Sequence, residues 1–408
     1  MREKNLLYKG KIITQLYFSN VLSCSDLSSR INTSLPLTTK MVNELIRDND
    51  IVETGYAPST GGRRPQMYSL RPDRMYTMAV AMDQLFTRIV MMDMQRNHVC
   101  AVEKFELHLA KNNQALETLT EKIEAYIGQS GIEKEKIAGI GIGMPGFVDS
   151  KKGVNYSFLG NGDRCITQYI TEKIKVQTYI ENDSSLIALA ELYFGAARSK
   201  KSAMVVNLGW GIGLGLILNG ELFRGYNGFA GEFSHLPLFT NNKLCSCGKS
   251  GCLETEASLV VVVERAIEGI QNGRVTLLKE EHLEANLDQA SRSVISAAGK
   301  GDKFAVELLS EAGYNIGRGV AILIHLLNPE TIILGGRGAL AGKIWQTPIQ
   351  QALNEHCIPR LAVNTGIEVS TLGYDAELIG AAALVMDNYE ADLTKELRQE
   401  RPQVSYLQ

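Results

Sequence analysis

Gly228-Phe-Ala-Gly-Glu-Phe-Ser-His235 is followed, after a short spacer, by Cys245-Ser-Cys247-Gly-Lys-Ser-Gly-Cys252-Leu-Glu254. One histidine and three cysteines supply four soft or borderline donors, the set that a tetrahedral zinc ion takes. Gly248 and Gly251 are expected to let the loop fold back so that the sulfurs converge. A set of His235, Cys245, Cys247 and Cys252 leaves no open coordination position, so the zinc would be structural; three reduced thiols without metal is the plain alternative. Two carboxylates flank the loop, Glu232 three residues before His235 and Glu254 two residues past Cys252. A metal that fixes the loop also fixes where they point, and the second ring nitrogen of a metal-bound histidine stays free to hydrogen-bond.

The chain around this loop has 408 residues, 45% hydrophobic and 21% charged. That is ordinary for a folded protein of about two to four domains, and unlike a disordered tail or a disulfide-stapled miniprotein. The longest apolar runs, such as Gly319-Val-Ala-Ile-Leu-Ile-His-Leu-Leu327, fall short of the roughly 20 residues that a bilayer requires. Met1-Arg-Glu-Lys-Asn-Leu-Leu-Tyr-Lys9 has no apolar leader, and Cys24, Cys100, Cys165 and Cys357 are scattered. A cytoplasmic protein without membrane attachment is expected. The formal charge of −3 speaks against nucleic-acid binding, but it is unevenly spread. Residues 1–72 hold 10 Lys+Arg and 6 Asp+Glu, a net of +4, whereas residues 73–408 hold 32 and 39, a net of −7. A basic head on an acidic body suggests nucleic-acid contact at one end.

Within the head, Ile12, Ile13, Leu16 and Tyr17 give one apolar face to residues 5–19, and residues 23–31 read as a short capped helix. A third helix is expected from Ser34, as N-cap, with Pro36 in its first turn. Met41, Val42, Leu45 and Ile46 form its buried stripe, leaving Thr38, Thr39, Lys40, Asn43 and Arg47 for base edges and phosphates. Residues 51–56 and 66–70 read as strands joined by Ala57-Pro-Ser-Thr-Gly-Gly-Arg-Arg-Pro65. Three helices and a two-stranded hairpin make a winged helix-turn-helix. Gly61 and Gly62 allow close approach to a phosphate chain, and Gly62, Arg63 and Arg64 become candidate DNA contacts at the wing tip. A small helical domain with a solvated basic loop is the other reading of these residues.

Taken together, the Gly228–His235 and Cys245–Glu254 segments resemble the signature of the ROK family, which holds sugar-responsive repressors and sugar kinases. The resemblance covers roughly residues 75–388. It extends to residues 1–72, because ROK repressors of the NagC/XylR type carry an N-terminal winged helix with a Gly-Gly-Arg-Arg-Pro-like wing. It implies the two-lobed, actin-like ATPase fold of sugar kinases. The expected division is a winged helix over 1–72 and a ROK domain over 73–408. Its first lobe would span about 73–197 with a C-terminal helix near 377–390, and its second about 198–376 with the zinc loop. The residues agree independently: Met78-Ala-Val-Ala-Met82, Arg88-Ile-Val-Met-Met-Asp93, Ile137-Ala-Gly-Ile-Gly-Ile-Gly-Met-Pro-Gly146, Ala203-Met-Val-Val-Asn-Leu-Gly209 and Leu326-Leu-Asn-Pro-Glu-Thr-Ile-Ile-Leu-Gly-Gly336 read as strands among helical stretches, an α/β class.

The resemblance also implies a sugar site at Asn182, Asp183, Glu232, His235 and Glu254, whose carboxylates and amide suit vicinal hydroxyls. Asn155 and Asn161 match a further sugar-contacting segment loosely. Asp183 falls on the family's catalytic base and would act as one only if kinase activity is retained. The family's kinases hold phosphate on an Asp-x-Gly-Gly-Thr turn, here Asp83-Gln-Leu-Phe-Thr87, and on a Gly-Thr-Gly-Ile-Gly loop, here Gly209-Trp-Gly-Ile-Gly213. Gly335-Gly336 of the adenosine region survive. Lost glycines and an indole in place of a hydroxyl obstruct phosphate, so ATP is not an expected cofactor. The expected function is a sugar-responsive transcriptional regulator, a repressor of carbohydrate genes. Its partners would be operator DNA and a sugar or sugar-phosphate effector, and it would assemble as a homodimer or homotetramer. Two alternatives stay open: an ATP-dependent sugar kinase with a regulatory head, and a constitutive DNA binder whose sugar site is only structural. Residues 388–408 are charged and helix-prone but carry no motif.

Overall fold

The computed structural model describes residues 2–59, 64–160, 164–284 and 286–399. It divides into two compact units, one comprising the chain up to Asn182 together with the segment from Leu378, the other running from Asp183 to Glu377. The first unit opens with the head: α1 (Arg2–Ser19), β1 (Leu22–Ser23), α2 (Cys24–Arg30), α3 (Leu35–Arg47), β2 (Ile51–Tyr56) and β3 (Gln66–Leu70). Ser23 caps α2 through a reciprocal pair, its Oγ accepting from the Asp26 N–H and the Asp26 carboxylate accepting from the Ser23 N–H. Ser34 holds the N-cap position of α3 with extended backbone but makes no side-chain cap bond, which differs from the expectation. The wing strands pair antiparallel, and β1 adds a third strand beside β3 that the sequence pattern did not suggest, since two residues carry no period.

The rest of the first unit is a five-stranded sheet in the order β10-β7-β4-β5-β6. It is made of β4 (Tyr76–Met82), β5 (Phe86–Asp93), β6 (Glu103–Glu106), β7 (Ile137–Met144) and, after the short pair β8 (Val148–Asp149) and β9 (Val154–Asn155), β10 (Thr178–Asn182). Helices α4 (Ala115–Ser130) and α5 (Ile166–Ile174) contribute to one apolar core with Ile140, Ile142 and Ile180.

The second unit repeats this plan. Helix α6 (Asp183–Phe194) precedes β11 (Ser202–Leu208), β12 (Ile212–Leu218) and β13 (Glu221–Phe223). Then come α7 (Glu254–Ala257), α8 (Leu259–Gln271), α9 (Glu280–Glu284), α10 (Leu287–Gly299) and α11 (Lys303–Leu327). The unit closes with β14 (Thr331–Gly335), α12 (Lys343–His356), α13 (Pro359–Ala362), β15 (Gly366–Val369) and the start of α14 (Ala376–Gln399). The sheet order β13-β12-β11-β14-β15 matches that of the first sheet read from its β6 edge, with two antiparallel pairings followed by two parallel ones in each. The contact division at Asn182/Asp183 lies upstream of the lobe boundary near residue 197 read from sequence, because α6 packs on β12: a Cβ on Gly215 would sit 2.3 Å from the Ala188 methyl carbon. Among the described residues, no helix is long and apolar enough to cross a membrane.

Candidate functional site

The loop between β13 and α7 folds into two small antiparallel contacts, Pro237 with Cys252 and Leu244 with Ser250. The Cys245 N–H donates to Lys249 O at 2.8 Å and the Gly248 N–H to Cys245 O at 2.9 Å, which wraps the backbone around the first two sulfurs. Gly251 has φ +76° and lies against Phe239, where a Cβ would be 2.0 Å from the carbonyl oxygen, so no other residue fits the fold-back.

The ligand atoms of His235, Cys245, Cys247 and Cys252 all lie within 4.8 Å of one another, a cluster that could hold a metal ion. The separations suit a tetrahedral ion. Zinc–sulfur bonds of about 2.3 Å place two sulfurs about 3.8 Å apart, and the Cys247 and Cys252 Sγ atoms are 3.7 Å apart. Cys245 Sγ is 3.5 Å from His235 Nδ1. Cys245 and Cys252 are buried and Cys247 is exposed. Burial and the two neighbouring sulfurs push the Cys252 thiol up to about 12, so a cation is what would make this crowd of thiolates tolerable.

With Nδ1 facing the sulfurs, His235 turns Nε2 toward Glu232, 3.6 Å from its Oε2. Burial raises the Glu232 carboxyl above its ordinary value; the His235 ring lowers it and the Glu254 carboxylate adds to the rise. Glu254 opens α7 with Oε1 4.0 Å from Cys245 Sγ. Its other oxygen backs onto the β11–β12 turn, where a Cβ on Gly211 would be 2.5 Å away. Two residues on, a Cβ on Gly213 would meet Ser184 Oγ at 1.8 Å, and Asp183 accepts from the Ser184 N–H at 2.7 Å. One glycine-rich turn therefore touches both Glu254 and the start of α6 that carries Asp183. Asn182 closes β10 in the first unit, its Nδ2 donating to Gly146 O at 3.3 Å. Asn155 is buried and spends its side chain on its own loop, donating to Pro145 O and accepting from the Ser157 and Phe158 N–H groups. Asn161 lies outside the described residues.

Local contacts hold the two turns that match the kinase phosphate loops in sequence. The Asp83 carboxylate accepts from the Leu85 and Phe86 N–H groups at 2.8 and 2.7 Å, tightening the β4–β5 turn. Trp210 lies under the Arg337 guanidinium, 4.6 Å from the ring centroid, and the Tyr374 ring lies 4.6 Å from the same cation. Asp288 holds Arg337 at 2.6 Å. Sequence reading missed this stack, since its members come from four separated segments and share no spacing.

In the head, Thr39, Lys40, Asn43 and Arg47 are exposed along α3, at spacings that share a helix face. Thr38 corrects the sequence reading: it is wholly buried, and its Oγ1 donates to Ser34 O at 3.1 Å, so it shapes the helix start and faces no groove. Arg64 binds the base of the wing, donating to Ala57 O at 2.6 Å and Tyr56 O at 3.2 Å. Gly62 and Arg63, with Gly61, lie outside the described residues.

A family model described as the ROK family matches residues 87–388. The chain belongs to the ROK family. A glucokinase of Halalkalibacterium halodurans is 34% identical to this ROK chain over 294 residues, 70% of the chain and 88% of the relative. A xylose repressor of Caldicellulosiruptor bescii is 26% identical over 388 residues, 92% of this chain and 94% of the relative. Among solved structures, a ROK family transcriptional regulator homologous to the E. coli MLC protein superposes with a TM-score of 0.77 at 23% identity, covering 97% of this chain and all of the other. The α/β fold is thus the one shared by ROK regulators and ROK sugar kinases, while the head is matched by the regulator structure, which covers 97% of this chain.

Proposed function

We propose that this ROK chain is a sugar-responsive DNA-binding transcriptional regulator, a repressor of carbohydrate genes. The observation that carries it is the coexistence, in one chain, of an exposed polar and cationic stripe on α3 with the Glu232–His235–Glu254 cluster, while both turns matching the kinase phosphate loops are filled by side chains. The near-complete alignment with a xylose repressor supports it. Thr39, Lys40, Asn43 and Arg47 would meet the operator, with Gly62, Arg63 and Arg64 at the wing. Asn182, Asp183, Glu232, His235 and Glu254 would bind a sugar or sugar phosphate, beside a structural zinc held by His235, Cys245, Cys247 and Cys252. The repressor works if the sugar binds one conformation better than the other, and a two-fold assembly would read a palindromic operator. Gel shifts on the DNA upstream of its own coding region, with and without glucose, xylose and N-acetylglucosamine, test this. A sugar-sensitive complex is expected; no complex at low salt overturns it.

The second reading is a sugar kinase with Asp183 as base, favoured by the 34% identity to a glucokinase. Phosphoryl transfer rests on holding the phosphates, and Trp210, stacked by Arg337, occupies the turn that would do so. An ATP-dependent phosphorylation assay on the same sugars separates the readings: no turnover is expected, and robust turnover would favour the kinase.

A further inference from the structure

We propose that Arg96 is a positioning residue that fastens the DNA-reading head to the first unit's sheet, and that this clamp, instead of a flexible tether, carries the effector state to the head. The proposal rests on the regulatory reading above and concerns how that regulation is transmitted.

The residues between the head and β4 are pinned on both sides. The Arg71 N–H donates to Asp50 O, its guanidinium to Asn49 Oδ1 at 2.9 Å and to the Asp73 carboxylate, while Arg74 reaches Asp50 at 3.4 Å. The sheet answers with a single turn after β5. The Asp93 carboxylate organises it, accepting from the Gln95 and Asn97 N–H groups at 2.8 and 2.9 Å and from Asn97 Nδ2 at 2.9 Å. At its apex Arg96 takes a left-handed φ of +67°, a conformation that costs a non-glycine residue and is held here by its neighbours.

From that apex Arg96 crosses to the head. Nη1 donates to Tyr17 O at 2.8 Å, Nη2 to Asn20 Oδ1 at 2.5 Å, and the guanidinium lies 5.5 Å from the Tyr17 ring centroid. Those groups form the C-terminal end of α1, where the last carbonyls look beyond the helix for donors and the helix dipole favours a cation. The last turn of α1 has no basic residue of its own. The sheet supplies the missing charge. The same turn also holds the end of the wing and the linker, through Gln95 Nε2 to Leu70 O at 3.1 Å and the Met94 N–H to Pro72 O at 3.3 Å.

A second seat lies along α1. A Cβ on Gly10 would be 2.4 Å from Leu393 Cδ1, so α1 rests directly on α14. Helix α14 in turn lies on β7, where a Cβ on Gly141 would be 2.0 Å from Ala381 O. Strand β7 pairs with β10, the strand that ends at Asn182. An unbroken run of packed elements thus links a proposed sugar residue to the helix that bears the head, and Arg96 closes it at the far end.

The test uses the full chain as wild type, Arg96→Ala and Arg96→Lys. Amide hydrogen exchange is followed at residues 14–20 and 70–76, and DNA affinity is measured with and without glucose, xylose and N-acetylglucosamine. In Arg96→Ala, exchange in both segments should rise about tenfold or more. The ratio of DNA affinities without and with sugar should fall toward one, with metal content and sugar-induced thermal stabilisation unchanged. Arg96→Lys, which keeps a cation at the helix end, should recover part of the ratio. Unchanged exchange in Arg96→Ala overturns the clamp, as does an unchanged affinity ratio. A wild-type chain that binds no DNA fails the regulatory reading instead, and the exchange result then decides the clamp alone.

Discussion

Cys247 is the exposed member of the four-donor cluster, so its replacement removes a donor without opening the core. Cys247→Ser should lower bound zinc well below one equivalent by elemental analysis and weaken sugar binding, because the loop that aims Glu232 and Glu254 loses its fixed point. Glu254→Gln should separate the two effects. It keeps the shape and the metal but removes a charged acceptor, which costs about 1.5–3 kcal/mol of sugar binding, read by titration calorimetry. The donor cluster was legible in the sequence because its members lie in one short segment whose glycines permit the fold-back. The Arg337 stack was not, since Trp210, Asp288 and Tyr374 become neighbours only through the second sheet. Thr38 was misread for a related reason: a helical wheel assigns faces, but it cannot show that the turn before α3 folds over the first of them.

The two sheets seat their helices by the same device. In β7 the alternation of isoleucine and glycine sends Ile140 and Ile142 into the core and leaves Gly139 and Gly141 on the face that receives α14. In β12, Gly213 and Gly215 do the same for α6. Gly141→Ala should therefore destabilise the first unit by about 1–3 kcal/mol in denaturant unfolding, since its methyl group would press on the Ala381 carbonyl. The sequence showed these segments as buried strands; which helix each glycine face admits became visible only with the fold. Helix α11 offers a test by pH. Its N-cap Asp302 accepts from the Ala305 N–H at 2.8 Å, the Leu277 N–H at 2.6 Å and the Thr276 hydroxyl. Burial pushes this carboxyl up, but those donors outweigh it and hold it below its ordinary value. A depressed folded-state value stabilises above the unfolded value, about 3.9, and that contribution is lost as pH falls through the folded one. The stability margin of wild type over Asp302→Asn should thus be present at neutral pH and shrink below about pH 4, followed by circular dichroism in urea.

At the scale of the whole molecule, the net charge of −3 is an average over parts of opposite charge. The excess of cations falls in the winged helix, where Lys40 and Arg47 line the exposed face of α3, and the excess of anions falls in the body, where Glu232 and Glu254 gather beside the loop of His235 and the three cysteines. The repeated sheet plan was foreshadowed by similar strand patterns in both halves, whereas the seating of the head on α14 and on the Arg96 turn had no sequence signal at all. The chain has two tryptophans, and the fold gives them unequal surroundings. Trp345 is sealed in the core with its indole N–H on Gly338 O at 2.7 Å, while Trp210 is half-buried against a cation, one residue from the glycine that backs Glu254. The protein thereby carries its own optical reporter and internal standard. A change in emission on adding sugar or stripping metal should vanish in Trp210→Phe and persist in Trp345→Phe, so that the ligand of the proposed sugar site can be sought with a fluorimeter and unlabelled protein.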